Sequence, residues 1–338
     1  MKKFIIFFIL LNLNKCDKSI INQNKNNISN SFKNKNLIVS ILTRFKWKKI
    51  LPFIKSLIKT NLQNCDVIIF VKEVKISIIN NLKSFGINIH EISNKFGNIP
   101  IYNYRWKIYI DFLKKNRKKY SFIMSVDLKD TIIQKDIFEI YKDYNHLLGF
   151  SLEDSPLRYG FHGPRILEIF GTKLYQKLKD EKMINAGTVW GTEDEFFSFS
   201  QILWKNLLIY PQAEDQTILN YLYYYKQFFK NITIFSDNCG PVITIGLTKR
   251  NHINLDSENN ILNSENQIAS IIHQYDRHKD IQLMIKEKYC PEFIYENNHF
   301  INIIYFFIFL EMVTILFSIK IIKFFYSKGK NNDFHLKK

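Results

Sequence analysis

Between Leu37 and Val126 short, mainly apolar runs rich in β-branched residues alternate with longer stretches of helical spacing. Few folds accept that rhythm. Leu37 to Leu42 reads as a strand, and Leu51, Ile54, Leu57 and Ile58 mark a helix from about Lys48 to Asn61. Val67 to Val71 is a second strand, Ile76 to Phe85 a helix ended by Gly86, and Ile87 to Ile92 a third strand. A helix from Ile101 to about Lys115 then leads into Phe122 to Val126. Strands that are apolar on both faces and separated by helices predict an α/β fold, a mainly parallel sheet flanked by helices. No longer internal repeat overlies this alternation.

In such sheets ligands collect where the loops leave the carboxyl ends of the strands. The first strand ends in Thr43-Arg44, and the fourth runs directly into Asp127-Leu128-Lys129-Asp130. No glycine-rich loop follows the first strand, which excludes a dinucleotide fingerprint and a P-loop. Two carboxylates at a strand end suit a hard divalent cation, which prefers oxygen ligands and shares them with substrate phosphates. A helix N-cap or a surface turn is the competing explanation.

The stretch from Arg105 to Phe138, RWKIYIDFLKKNRKKYSFIMSVDLKDTIIQKDIF, resembles a divergent group of eukaryotic nucleotide-diphospho-sugar transferases. Members carry an Arg-aromatic helix, a strand, and a segment Asp-x-Arg-Asp-x-x-Phe-Gln-x-Asp-x-Phe. Asp127, Asp130, Gln134, Asp136 and Phe138 match, with Lys129 in place of the Arg and Ile133 in place of the Phe. The likeness continues at Asn185-Ala186-Gly187, opening a strand and turn that end in Gly191-Thr192. It returns at Asp215-Gln216 with Asn220-Tyr221-Leu222, and at His273-Gln274-Tyr275-Asp276-Arg277-His278.

What this resemblance implies is a single glycosyltransferase A-type domain in which the Asp segment and a late histidine hold Mn2+ or Mg2+ on the diphosphate of a UDP- or GDP-linked sugar. Asp127, Asp130 and His273 carry over as metal ligands, with His278 an open alternative to His273. The commoner arrangement is Asp-x-Asp, whereas this chain has Asp-x-x-Asp. Arg44 and Arg105 are candidates for the diphosphate, with surface salt bridges as the alternative. Asn185 and Gly187 are expected to shape the sugar or acceptor pocket, since glycine lets backbone approach a ligand closely. Asp215 is expected to hydrogen-bond sugar hydroxyls or assist proton transfer, with an N-cap on a helix from Gln216 to about Tyr225 as its other role. Glu153 and Asp154, after a strand from Leu147 to Ser151, line the acceptor side or form a solvated turn. The resemblance suggests retention of the anomeric configuration; the residues leave it open. A catalytically silent scaffold on the same fold is the alternative function. An aspartate-nucleophile phosphohydrolase is disfavoured, because its second Asp belongs two positions after the first.

The ends carry further expectations. Residues 1–16, with Lys2 and Lys3 before the apolar run Phe4 to Leu11, have the layout of a signal peptide or anchor. Residues 17–35 are Asn, Ser and Lys rich and read as a flexible stalk before a transferase domain at 36–295. Residues 301–326 are apolar enough for a transmembrane helix, and 327–338 form a basic tail that the positive-inside rule places in the cytosol. The domain is then luminal in the endoplasmic reticulum or Golgi, acting on a glycan, protein or lipid acceptor. The 338 residues hold 48 Lys plus Arg against 31 Asp plus Glu, a formal charge of +17. No nucleic-acid motif accompanies that charge, and its even spread among Asn and Ile points to compositional drift rather than a nucleic-acid partner. Cys16, Cys65, Cys239 and Cys290 lack metal-site spacing.

Overall fold

The computed structural model describes residues 35–92, 97, 99–141, 148–226, 232–235, 238–292 and 307–320. The expected signal peptide and nearly all of the stalk lie outside them. Two compact units divide the chain, Met1–Ile285 and Lys286–Lys338.

The first unit starts with β1 (Lys35–Thr43), α1 (Trp47–Thr60), β2 (Cys65–Lys72), α2 (Ile76–Ser84), β3 (Asn88–Glu91), α3 (Ile101–Lys115) and β4 (Tyr120–Val126). Each matches an expected element to within a few residues. There follow β5 (Thr131–Ile133), α4 (Ile137–Tyr141), β6 (Leu148–Pro156), α5 (His162–Phe170), α6 (Thr172–Leu178) and β7 (Lys182–Thr192). The unit continues with α7 (Glu193–Ile209), α8 (Asp215–Tyr221), β8 (Ile232–Phe235), β9 (Val242–Thr244) and β10 (Ile271–His273). The sheet order is β3-β2-β1-β4-β7-β6-β9-β10-β5, with β8 alongside β6.

Period-two alternation sends the strand side chains to two separate cores. Leu37 and Val39 of β1, Ile68 and Phe70 of β2 and Ile123 of β4 share one cluster with α3 and α5 to α8. Their neighbours Ile38 and Leu42, Ile69 and Val71, and Met124 and Val126 share the other with α1, α2 and α4. Burial on both faces is what an uninterrupted apolar strand needs, each such side chain contributing about 1.5–3 kcal/mol.

The sheet is mainly parallel as expected, with antiparallel pairing where β7 meets β4 and β6 and where β5 meets β10. The second half departs from the sequence reading in three places. Asn185 and Gly187 sit inside β7, which runs straight to Thr192 without the expected turn. β6 extends through Glu153 and Asp154, so Glu153 is buried strand rather than solvated turn. The helix expected to reach Tyr225 becomes a π-helical turn at Leu222–Lys226.

In the second unit residues 307–320 are helical. Ile308, Phe309, Leu310, Met312, Val313, Ile315, Leu316, Phe317 and Ile319 are all exposed around its circumference. At about 1.5 Å per residue this described stretch covers roughly 21 Å, short of the roughly 30 Å hydrocarbon layer. Among the described residues no helix is long and apolar enough to cross a membrane. Residues 301–306 and 321–326 of the expected span lie outside the described residues.

Candidate metal and diphosphate site

The site forms where β4 ends. Asp127 leaves the strand with its backbone N–H donating to the Gly187 carbonyl at 2.9 Å, extending the β4–β7 pairing by one residue. Three residues on, Asp130 precedes β5, which pairs antiparallel with β10 so that Thr131 faces His273. This register carries the late histidine to the carboxylates. His273 Nε2 lies 3.5 Å from Asp130 Oδ1 and 3.8 Å from Asp127 Oδ2. One ligand atom from each of the three falls within 4.8 Å of the others.

His273 is 2% exposed, and neither ring nitrogen has a hydrogen-bond partner. A buried imidazole left so costs about 1–3 kcal/mol. A cation shared with the two carboxylates relieves that cost, so the residues fit a divalent ion. Burial would lower the His273 pKa, but Asp130 and Asp127 outweigh it and raise it. Burial raises the Asp127 carboxyl, while for Asp130 His273 and Lys129 override burial and hold it low. His278 Nε2 donates to the Ile245 carbonyl at 2.8 Å and takes no part in the cluster.

The space for the imidazole is made by Gly187. A Cβ there would stand 2.4 Å from His273 Cε1, 2.6 Å from Nε2 and 2.9 Å from Asp127 Oδ2. Asn185 fixes this stretch, its Oδ1 accepting from the Gly187 N–H at 2.7 Å and its Nδ2 donating to Glu153 Oε1 at 2.8 Å. Gln216 Nε2 donates to the same Glu153 oxygen at 2.8 Å.

Arg105, on α3, is nearly buried and bridges two carboxylates. Its Nη1 donates to Asp127 Oδ1 at 2.6 Å, and its Nε and Nη2 donate to Asp215 Oδ2 at 3.0 and 2.6 Å. Asp215 also accepts from Trp106 Nε1 at 3.0 Å and from the Gln216 N–H, while Asn103 Oδ1 accepts its backbone N–H. Asp215, the first residue of α8, is therefore committed to orienting Arg105. Burial opposes the Arg105 charge, but Asp215 and Asp127 more than compensate and keep it ionised.

Arg44 is not brought to this cluster. Thr43 pairs with Lys72 across β1 and β2, which sets Arg44 beside Glu73; the two form an exposed salt bridge. Lys129 Nζ lies 3.8 Å from Asp130 and 3.5 Å from Asp276 at the rim.

Two clefts meet at Asp127 and Asp130. One, of about 320 Å3, is polar and lined by Arg105, Asn185, Gln216, His273, His162 and Arg277 among others. The other, of about 220 Å3, is walled by Ile41, Phe45, Ile101 and Tyr102. Tyr102 and His162 carried little or no signal of their own in an aromatic-rich sequence. The strand reading that stopped at Ser151 missed Glu153, although Leu152 continues the spacing of Leu148 and Phe150 and could have extended the strand to it.

No protein-family model matches the chain, and no curated protein matches it. Among solved structures it is similar to the glycosyltransferase GlyE of Streptococcus pneumoniae TIGR4, at 15% identity and a TM-score of 0.45 over 71% of this chain and 54% of that one. It is also similar to the apo structure of the bifunctional glycosyltransferase WbbM, at 14% identity and a TM-score of 0.47 over 72% of this chain and 46% of that one. The chain spans about half the length of these structures. Identity and TM-scores at this level assign neither activity nor substrate, which rest on the side chains.

Proposed function

We propose that this chain is a metal-dependent glycosyltransferase that moves a sugar from a nucleoside-diphosphate donor to an acceptor hydroxyl. The observation that carries the reading is the cluster of Asp127, Asp130 and His273 with its buried, unpartnered imidazole. Those three residues would hold Mn2+ or Mg2+, which when bound neutralises the diphosphate and makes it a competent leaving group. Arg105 holds Asp127 Oδ1 and leaves Oδ2 on the His273 side. Asp215 fixes Arg105, and Lys129 and Arg277 add positive charge along the polar cleft. The apolar cleft walled by Phe45 and Tyr102 suits a uracil or guanine base, and the polar cleft suits the sugar and acceptor. Asn185 and Gly187 act by shaping the wall between donor and metal.

The experiment is donor hydrolysis by the full chain in detergent, with UDP- and GDP-sugars and Mn2+, against Asp127→Asn. Loss of hydrolysis in a folded variant supports the reading, and retained metal-dependent hydrolysis overturns it. We further propose that residues 301–326 anchor the chain in a membrane of the secretory pathway with the transferase unit luminal. The exposed apolar circumference of residues 307–320 supports this. Extraction of the protein from membranes by alkaline carbonate would refute it.

A further inference from the structure

His162 opens α5 on the wall of the polar cleft that holds Asp127, Asp130 and His273. Its Nδ1 lies 2.9 Å from Thr217 Oγ1, and that hydroxyl lies 3.3 Å from Glu214 Oε2. A carboxylate only accepts, and a hydroxyl has one proton to give. Thr217 gives it to Glu214, so its oxygen accepts from His162 Nδ1–H. The chain of contacts thus sets the tautomer and leaves the Nε2 lone pair as the basic position of the ring.

The carboxylates that face the cleft already accept hydrogen bonds or belong to the metal cluster. Asp215 accepts from Arg105 and Trp106, Glu153 from Asn185 and Gln216, and Glu214 from Thr217. Asp127, Asp130 and His273 form the metal cluster. Burial pushes the His162 pKa below the ordinary histidine value, against the pull of Glu153, Asp215 and Glu214, so the ring is neutral at neutral pH.

We propose that His162 is the general base of the transfer, taking the proton of the acceptor hydroxyl; this rests on the glycosyltransferase reading above. The acceptor O–H proton passes to Nε2 and the oxygen forms its bond to the anomeric carbon. The bond from that carbon to the diphosphate oxygen breaks, and its electron pair leaves with the nucleoside diphosphate. The imidazolium so formed keeps its Nδ1–H on Thr217 and faces Glu153, Asp215 and Glu214. One displacement with one base inverts the anomeric centre, the opposite of what the family resemblance suggests.

The test uses the full chain, Mn2+, and UDP-glucose, UDP-galactose, UDP-N-acetylglucosamine and GDP-mannose, with water as acceptor. His162→Gln is expected to lower hydrolysis by about 100-fold or more, to remove the acidic limb of the pH profile, and to leave Mn2+-dependent UDP or GDP affinity within about twofold of the original chain. Thr217→Val is expected to shift that acidic limb. Proton NMR of the released sugar should show the anomer opposite to the donor's, and nitrogen NMR should show His162 protonated at Nδ1. Hydrolysis by His162→Gln at the original rate, a retained anomer, or an Nε2–H tautomer would overturn the proposal while leaving the transferase reading intact. Failure of the original chain to bind any nucleoside diphosphate would overturn both.

Discussion

Gly187→Ala sets two effects of opposite sign against each other. Gly187 lies inside β7, and at a backbone that alanine tolerates, the substitution stabilises by about 0.4–1 kcal/mol through the unfolded chain. The added methyl, however, would stand 2.4 Å from His273 Cε1 and 2.6 Å from Nε2. Carbon contacts settle at about 3.5–4.0 Å, so the ring must retreat by about 1 Å. His273 is 2% exposed and sits on β10, whose pairing with β5 and β9 resists that retreat. Overpacking of this kind costs about 1–3 kcal/mol, so the net change is a loss. The effect on metal binding is larger, because ligand distances tolerate about 0.2 Å. We expect Gly187→Ala to fold with a modestly lowered melting temperature and to lose at least 10- to 100-fold in Mn2+ affinity, the range seen when ligand orientation is disturbed. Calorimetric Mn2+ titration beside thermal melting separates the two. Unchanged Mn2+ affinity in Gly187→Ala would refute the placement of His273 as a ligand.

Arg105→Leu leaves Asp215 buried without its cation and should cost about 3–5 kcal/mol in urea unfolding, whereas exposed Arg44→Ala should fall within about 0.5 kcal/mol. Mn2+ at one hundred times its Kd should stabilise the chain by about 2.7 kcal/mol, raising the melting temperature, with EDTA reversing the shift. Burial alone would raise the Asp66 carboxyl, but Lys35 and Lys119 outweigh it and hold it below its ordinary value. A depressed carboxylate contributes stability above the unfolded value near 3.9 and loses it as pH falls through the folded value. Asp66→Asn should therefore destabilise by up to about 1 kcal/mol at pH 7, and the gap should close in unfolding curves below about pH 4.

What was legible in the sequence was local. β1, β2 and β4 are apolar on both faces and each helix from α1 to α3 has its own stripe, so period and length identify them without knowledge of the partner. The same property hid the antiparallel direction of β7, because a strand buried on both faces reads alike in either direction. For Arg44 the sequence left the diphosphate and a surface salt bridge open, and the structure shows the salt bridge. The end of β1 is where ligands gather in such sheets, but Arg44 and Glu73 meet because the turns after β1 and β2 put each of them in left-handed backbone side by side. The metal cluster joins Asp127 and Asp130 to His273 only through the pairing of β5 with β10, a contact between distant segments that no local pattern encodes. The motif likeness supplied that link, and the structure explains the rest of the motif. Gln134 donates to the Ile261 and Ala269 carbonyls at 2.9 and 2.8 Å, and Asp136 accepts from the Phe138 N–H at 2.8 Å. The motif therefore ties the loop before β10 to the segment that carries the carboxylates as well as supplying the candidate ligands.

The central claim is that Asp127, Asp130 and His273 form a cation site that recruits a nucleoside diphosphate. Isothermal calorimetry of UDP and GDP against the full chain, with and without Mn2+, tests it most directly. The expected result is binding of one nucleotide that requires Mn2+ and is lost in both Asp130→Asn and His273→Ala. Binding that is indifferent to Mn2+, or survives both substitutions, would contradict it.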